Sequence, residues 1–220
     1  MKKAILILGG SSSIAKELAE LHGKDDVYYT YHSSIDQAEK SFYLDLYDLE
    51  SYKNIPLIEF EIIYSFLGYT PSIDLIGDID TSKITIERNF LYPTLALQYI
   101  LQNNRFKTNA SIKIVTSVAG VRGRKLNYVY GSSKSAMQTL IEGLANQYLD
   151  INFTDIVLGP VFTEAVPVHN TPDFLISRPL DVARTIKKAK AQRVFVPFRW
   201  KIIMLIIRLI PVTIYNRLSL

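Results

Sequence analysis

The sequence contains no cysteine, and this absence removes several classes of function at once. Disulfide bonds, thiolate catalysis and cysteine-ligated metals are all excluded. Histidine is scarce too, and its three residues stand in unrelated contexts, so no metal site is expected. No internal repeat or low-complexity segment is present. The chemistry of this 220-residue chain must therefore depend on oxygen and nitrogen groups.

A long apolar run is lacking at the N-terminus. The run at residues 4–8 is shorter than the ~7–15 residues of a signal-peptide core. A first buried strand that leads into a glycine turn explains it better. We therefore expect a cytoplasmic protein.

Acidic residues are nearly absent from the C-terminal part of the chain. Residues 180–220 carry nine Lys or Arg and one acid, Asp181, although the whole chain has a formal net charge of only +4. A basic tail on a mildly acidic body suggests an anionic surface as partner. Nucleic acid is not expected, because the basic residues alternate with isoleucine and leucine rather than with polar side chains.

The apolar pattern predicts an α/β fold with a doubly wound parallel sheet. About seven strands are indicated by short apolar runs, at residues 3–8, 27–31, 40–44, 60–66, 111–116, 151–158 and 193–196. Helical patterns lie between them, at residues 14–21, 81–104, 129–149 and 180–190. Thr81 or Ser82 is the expected N-cap of the second. We predict a dinucleotide-binding and catalytic domain over residues 1–198 and a helical tail over 199–220.

A glycine turn separates the first predicted strand from the first predicted helix. Strand, turn and helix in this order form the first half of a dinucleotide-binding unit, although an ordinary turn is the alternative. Gly9 would allow a tight turn, and the helix N-terminal amides would meet a pyrophosphate. The predicted contacts are Gly9, Ser11, Ser12, Ser13 and Ile14.

The second strand ends without the Asp or Glu that normally binds the ribose hydroxyls of NAD. His32 and Ser33 follow it and could accommodate a 2′-phosphate, so NADP(H) is favoured over NAD(H); a polar loop is the alternative. Asp45, followed by Leu46, comes after the third strand. Its carboxylate could accept a hydrogen bond from the adenine amine or cap a helix.

One tyrosine of the fourteen, Tyr130, is followed by a lysine four residues later, and chance alone would give one such pair. Tyr130 and Lys134 share one face of a predicted helix, and Ser117 follows the preceding strand. Asn89 lies in the long helical pattern, where Pro93 would free its carbonyl and kink the helix. On the pattern alone, a surface asparagine is favoured there.

These motifs, in this order, resemble those of the short-chain dehydrogenase/reductase family, a single-domain Rossmann type with a Tyr-x-x-x-Lys site. The resemblance covers roughly residues 3–198. It rests on the turn Gly9-x-x-x-Ser13-Ile14-Ala15, Asp45, Asn89, Ser117-Val118-Ala119-Gly120, Tyr130-x-x-x-Lys134 and Gly159-Pro160-Val161-x-Thr163. Two departures stand out: Ser13 and Ala15 replace glycines, and Phe66-Leu67-Gly68 replaces Asn-Ala-Gly. They bear on pyrophosphate geometry and on packing near the adenine.

The resemblance implies an NAD(P)H-dependent oxidoreductase that interconverts a ketone and a secondary alcohol. Tyr130 would donate the proton, Ser117 would bind the carbonyl oxygen, and Lys134 would lower the tyrosine pKa and hold the nicotinamide ribose. Asn89 would position a relay water through the main chain beside it. Further cofactor contacts are implied for Leu67, Gly68, Pro160, Val161 and Thr163. The alternative is a non-catalytic nucleotide-binding or regulatory protein with the same fold.

The tail at residues 200–218 is apolar on nearly every side, which is too broad a surface for a helix on its own domain. The residues before Pro211 span only about 15 Å of helix, so they cannot cross a hydrocarbon core of ~30 Å. We expect the tail to lie on the inner face of a membrane or between subunits of a homo-oligomer. Such tails resemble those of family members that act on lipid-linked or envelope-glycan carbonyls, and residues 164–179 are the expected substrate loop.

Overall fold

Within the described residues, seven strands form a single parallel sheet. The computed structural model describes residues 2–32, 40–71, 77–103, 106–162 and 171–218. The strand order is β3-β2-β1-β4-β5-β6-β7. Their bounds are β1 Ala4–Leu8, β2 Asp26–Tyr31, β3 Ser41–Tyr43, β4 Phe60–Ser65, β5 Phe106–Ser117, β6 Ile151–Leu158 and β7 Arg193–Val196. The chain order reverses between β1 and β4, so the crevice for a ligand is expected at their carboxyl ends.

Helices cover both faces of the sheet, as predicted. They are α1 Ser13–Leu21, α2 Ile79–Ile86, α3 Tyr92–Asn103, α4 Tyr128–Gln147, α5 Pro179–Lys188, α6 Arg199–Leu209 and α7 Val212–Tyr215. Strand β1 sends Ile5 and Ile7 into a core with α1 and α5. Its alternate residues, Leu6 and Leu8, enter a second core with α3 and α4. This period of two fixes the register of the central strand between two apolar layers.

The long helix predicted at residues 81–104 consists of three parts. A π-helical turn, Glu87–Leu91, joins α2 to α3. The prediction of Thr81 or Ser82 as N-cap was wrong. The helix begins earlier because the carboxylate of Asp78 accepts a hydrogen bond from the Thr81 backbone amide at 2.7 Å. Short 3-10 helices at Leu49–Asn54, Val118–Gly120 and Asp173–Leu175 were not predicted.

The C-terminal tail lies with one face on the domain, so the expectation that its surface is too broad for this was wrong. Trp200 and Met204 of α6 form a third core with Val118, Val157 and Leu175. The opposite face remains exposed and apolar, through Ile202, Leu205, Ile206 and Leu209. Within the described ranges, no helix combines the length and the hydropathy needed to cross a bilayer.

Candidate active site

The turn after β1 has no room for side chains at Gly9 and Gly10. A Cβ on Gly9, whose φ is 79°, would lie 3.2 Å from the carbonyl carbon of Phe66, and one on Gly10 would lie 3.0 Å from Tyr29 Cβ. The Gly9 amide donates to Thr30 Oγ1 at 3.0 Å, which anchors the turn to β2. Helix α1 starts at Ser13, directly after this turn, so its free amides face the crevice end of the sheet. This cradle fits the diphosphate of a dinucleotide.

Polar groups from β2 and from the end of β3 meet beside this cradle. His32 Nε2 lies 3.9 Å from Asp45 Oδ1, and its ring stacks on Tyr43 with centroids 6.1 Å apart. The Asp45 carboxylate also accepts from the Tyr47 amide at 2.9 Å. Asp48 caps the following 3-10 helix, so capping does not explain Asp45. Ser33, predicted beside His32, lies outside the described residues.

Asn89 is buried, so the surface position favoured by the sequence pattern was wrong. Its side-chain amide donates to the Tyr69 carbonyl at 2.7 Å and to the Thr85 carbonyl at 3.0 Å, and its oxygen accepts from the Tyr69 amide at 3.0 Å. The π-helical turn around Asn89 explains the error. A wider turn changes which face of the helix a residue occupies, and it leaves polar backbone groups free.

Gly68 makes room for the two polar side chains beside it. A Cβ there would lie 3.0 Å from both Asn89 Oδ1 and Lys134 Nζ. Lys134 is buried, and this burial lowers the pKa of its ammonium to about 8, against a smaller raising effect from Asp155. Its Nζ lies 5.8 Å from the centroid of the Tyr130 ring. Lys134, Asn89 and Gly68 thus share the floor of one site.

The surroundings of the Tyr130 hydroxyl shift its pKa in opposite directions. Burial raises the pKa of Tyr130 above its ordinary value, while hydrogen bonding to Ser117 and Thr70 and the charge of Arg124 lower it. Desolvation dominates, so the pKa of Tyr130 is raised, whereas the sequence predicts a pKa lowered by Lys134. The lowering effect of Lys134 stays a prediction. Thr70 and Arg124 are site residues that the sequence pattern did not indicate.

Close backbone packing holds Ser117, the serine that the sequence predicts to be catalytic. Ser117 ends β5, and its Oγ accepts from the Ala119 amide at 3.2 Å in the 3-10 turn that follows. A Cβ on Gly131 of α4 would lie 2.7 Å from the Ala119 carbonyl oxygen, and one on Gly120 would lie 2.8 Å from α4 backbone. Both glycines are therefore needed to bring the turn of Ser117 against the helix of Tyr130.

A buried carboxylate lies beneath Ser117. Asp155 accepts from Thr116 Oγ1 at 2.5 Å and from Arg193 Nε at 2.7 Å. Gln138 connects this pair to the site, because its Nε2 donates to Thr116 Oγ1 at 3.2 Å and to the Ser117 carbonyl at 3.0 Å. An acid in the otherwise uncharged strand β6 was the available sequence signal for it.

The turn after β6 lies against the tail. A Cβ on Gly159 would overlap the indole of Trp200, whose Nε1 donates to the Leu175 carbonyl at 3.0 Å. Val161 continues into a parallel bridge with Ser177. Pro160 stands between Gly159 and Val161, whereas Thr163 and residues 164–170 of the predicted substrate loop lie outside the described residues.

Comparison with known proteins finds similarity to one family. Residues 77–172 match the family model of the short chain dehydrogenases. The match includes the part of the chain that carries Ser117, Tyr130 and Lys134. An uncharacterised oxidoreductase of Mycobacterium tuberculosis is 25% identical over 141 residues, which cover 60% of this chain and 55% of that protein. Bovine (Bos taurus) retinol dehydrogenase 8 is 36% identical over 99 residues, which cover 42% of this chain and 32% of that protein. The chain thus spans about half or less of these relatives.

Solved structures of short-chain dehydrogenases share the fold over the whole chain. One from Burkholderia cenocepacia, determined in complex with NADP, has a TM-score of 0.78 at 14% identity. The superposition covers 100% of this chain and 98% of that one. The α/β architecture predicted from the sequence is confirmed.

Two glycines of α4 provide a matched test of the packing around Ser117. Gly131→Ala should destabilise the fold by about 1–3 kcal/mol, because the added Cβ meets the Ala119 carbonyl. Gly143→Ala, on the same helix, should stabilise it by about 1 kcal/mol, because nothing lies within 4 Å of its Cβ. Urea unfolding of both variants gives the comparison. Equal effects of the two substitutions would contradict the packing assigned to Gly131.

Proposed function

We propose that the protein is an NADPH-dependent reductase that converts a ketone to a secondary alcohol. The proposal rests above all on one observation: Ser117, Tyr130 and Lys134 come together with Asn89 at the carboxyl edge of the sheet, beside a glycine cradle. We keep the division predicted from the sequence, with residues 1–198 as the catalytic domain and 199–220 as the tail.

The diphosphate of the cofactor would lie in the glycine cradle. The bound cofactor would supply a hydride to the carbonyl carbon. Gly9, the amides of Ser11, Ser12, Ser13 and Ile14, and the turn at Leu67 and Gly68 would hold it. His32, Ser33 and Leu46 would surround the adenosine end, and Asp45 would accept from the adenine amine. Pro160, Val161 and Thr163 would hold the nicotinamide. NADP(H) is preferred because β2 ends without an acid at its tip and because a similar structure was solved with NADP.

The protein residues handle the carbonyl oxygen and its proton. Tyr130 Oη would donate its proton to this oxygen while the hydride from the reduced nicotinamide reaches the carbonyl carbon, so the products would be the alcohol, a tyrosinate and the oxidised cofactor. Ser117 Oγ donates a hydrogen bond to the same oxygen and stabilises its developing charge. The buried Lys134 ammonium stabilises the tyrosinate and holds the ribose hydroxyls. A water placed by the main chain beside Asn89 returns the proton from solvent.

The tail supports a role at a membrane. Its exposed residues Ile202, Leu205, Ile206 and Leu209 lie on the side of α6 opposite to the buried Trp200 and Met204. The helical positions of Arg199, Lys201 and Arg208 flank this apolar stripe, and residues 199–218 contain no acid. We propose that this face lies on the anionic inner surface of the cytoplasmic membrane. Two copies facing each other through it would bring like charges together.

The proposed membrane contact favours a lipid-linked or envelope-sugar carbonyl compound as the substrate over a freely soluble one. Trp200 contacts Gly159 at the nicotinamide end of the site, so the tail lies between the proposed membrane surface and the reacting groups. A relative named for retinol, an apolar alcohol, is in keeping with this substrate class. We also propose a homo-oligomer, formed through a surface other than the tail.

Removal of the Tyr130 hydroxyl should stop the reaction. Tyr130→Phe is expected to lower ketone reduction at least ~100-fold, the usual contribution of a general acid, while NADPH binding measured by fluorescence stays nearly unchanged. Tyr128→Phe is the matched control, because Tyr128 is exposed at the start of the same helix. Undiminished turnover by Tyr130→Phe would refute the assigned acid.

Charge on the exposed face of α6 should release the protein from vesicles. The native chain is expected to sediment with phosphatidylglycerol vesicles more than with phosphatidylcholine vesicles, and less so at high salt. Leu205→Glu combined with Leu209→Glu should weaken this binding, whereas Leu149→Glu, at an exposed leucine of another surface, should not. If the double variant sediments normally but its light-scattering mass falls, the face binds another subunit and the membrane proposal fails.

A further inference from the structure

One arginine attaches the segment between Ser117 and Tyr130 to the C-terminal tail. Arg122 Nη1 donates to the carbonyl oxygens of Ile207 at 2.5 Å, Arg208 at 3.1 Å and Ile210 at 2.7 Å. Carbonyls in the last turn of a helix have no partner within the helix and carry the negative end of its dipole. Arg122 therefore caps α6 from outside the tail.

Tyr215 of α7 completes this attachment. The guanidinium carbon of Arg122 lies 4.1 Å from the centroid of the Tyr215 ring, a cation–π contact. The Tyr215 hydroxyl donates to the Gly123 carbonyl at 2.9 Å. Two consecutive residues of the segment are thus held by two parts of the tail, the end of α6 and α7.

An apolar contact lies beneath these polar ones. Val118, the residue after Ser117, belongs to the same core cluster as Trp200 and Met204, and Val121 and Ile207 pack against it. The tail therefore contacts the segment from its first residue to Gly123. Because the contact begins next to the proposed catalytic serine, any movement of α6 would also displace the backbone beside Ser117.

Arg124 extends this arrangement to the reacting hydroxyl. It is partly buried, and burial lowers its pKa, while Tyr215 and Tyr130 both raise it. Its charge in turn lowers the pKa of Tyr130. The Arg124 charge thus acts on the Tyr130 hydroxyl from the segment that Arg122 and Tyr215 hold in place.

We infer that Arg122 is a positioning residue for the reaction: it ties the tail to residues 118–123 and so fixes the turn between Ser117 and Tyr130, together with the adjoining Arg124. This inference rests on the proposed function. It makes the tail a part of the active-site wall and not only a surface for membrane contact.

The test compares Arg122→Met with Arg122→Lys, which keeps a charged donor. Arg122→Met should lower kcat/KM for ketone reduction about tenfold, the scale of one lost charged hydrogen bond, and Arg122→Lys should recover part of it. Arg184→Met is the control. This exposed arginine lies on α5, where its Nη1 is 3.7 Å from Oδ1 of Asp181.

The pH profile separates positioning from simple stability. The groups around the Tyr130 hydroxyl are Ser117, Thr70 and Arg124, with Lys134 beneath its ring. In alcohol oxidation, Arg122→Met should raise the apparent pKa of kcat/KM, and Arg124→Met should raise it likewise. Native kinetics in Arg122→Met, or lost activity with an unchanged pH profile and a lower Tm, would overturn the inference.

Fluorescence tests the attachment without turnover. The chain has one tryptophan, and Trp200 is buried at the contact between tail and domain. Arg122→Met should shift its emission to longer wavelength and increase its quenching by acrylamide. Unchanged emission would overturn the inference, whereas an inactive native protein with the predicted shift would contradict the proposed function and leave the attachment established.

Discussion

The burial of the Lys134 ammonium is the constraint around which the site is built. A buried cation is costly, and here the cost lowers the pKa of Lys134 to about 8. Three features accommodate the buried ammonium. Gly68 leaves space for Lys134 Nζ, and Asn89 is fixed beside the same space. The buried Asp155 carboxylate favours the charged form of the lysine. A lysine so poised can stabilise a tyrosinate while remaining able to exchange a proton near neutral pH.

The sheet explains why these groups meet. Parallel strands place every carboxyl end at one edge, and the reversal between β1 and β4 opens the crevice there. Gly120 and Gly131 then allow the turn of Ser117 to touch α4, so that residues from two separate elements surround one hydroxyl. Through Trp200, the tail adds a wall on the side where we propose that the nicotinamide binds.

Local patterns predicted most of the fold, and they indicated three residues that the structure brings together at the proposed active site. The strands β6 and β7 follow from short apolar runs, and Tyr130 and Lys134 share a face at ordinary helical spacing. Asn89 was misplaced because a π-helical turn breaks that spacing, which no local propensity encodes. Arg122 could not be found either, since the carbonyls that it binds lie about 90 residues away in the tail and no periodicity links them.

Hydride transfer to a ketone is the central claim, and isotope labelling tests it most directly. The protein would be incubated with NADPH carrying deuterium at C4 of the nicotinamide, on the transferred face, and with lipid and sugar ketones. Mass spectrometry of the products should then find one deuterium at the carbinol carbon of an alcohol. Firm NADPH binding without deuterium transfer to any of these ketones would contradict the account and favour a nucleotide-binding protein that does not catalyse reduction.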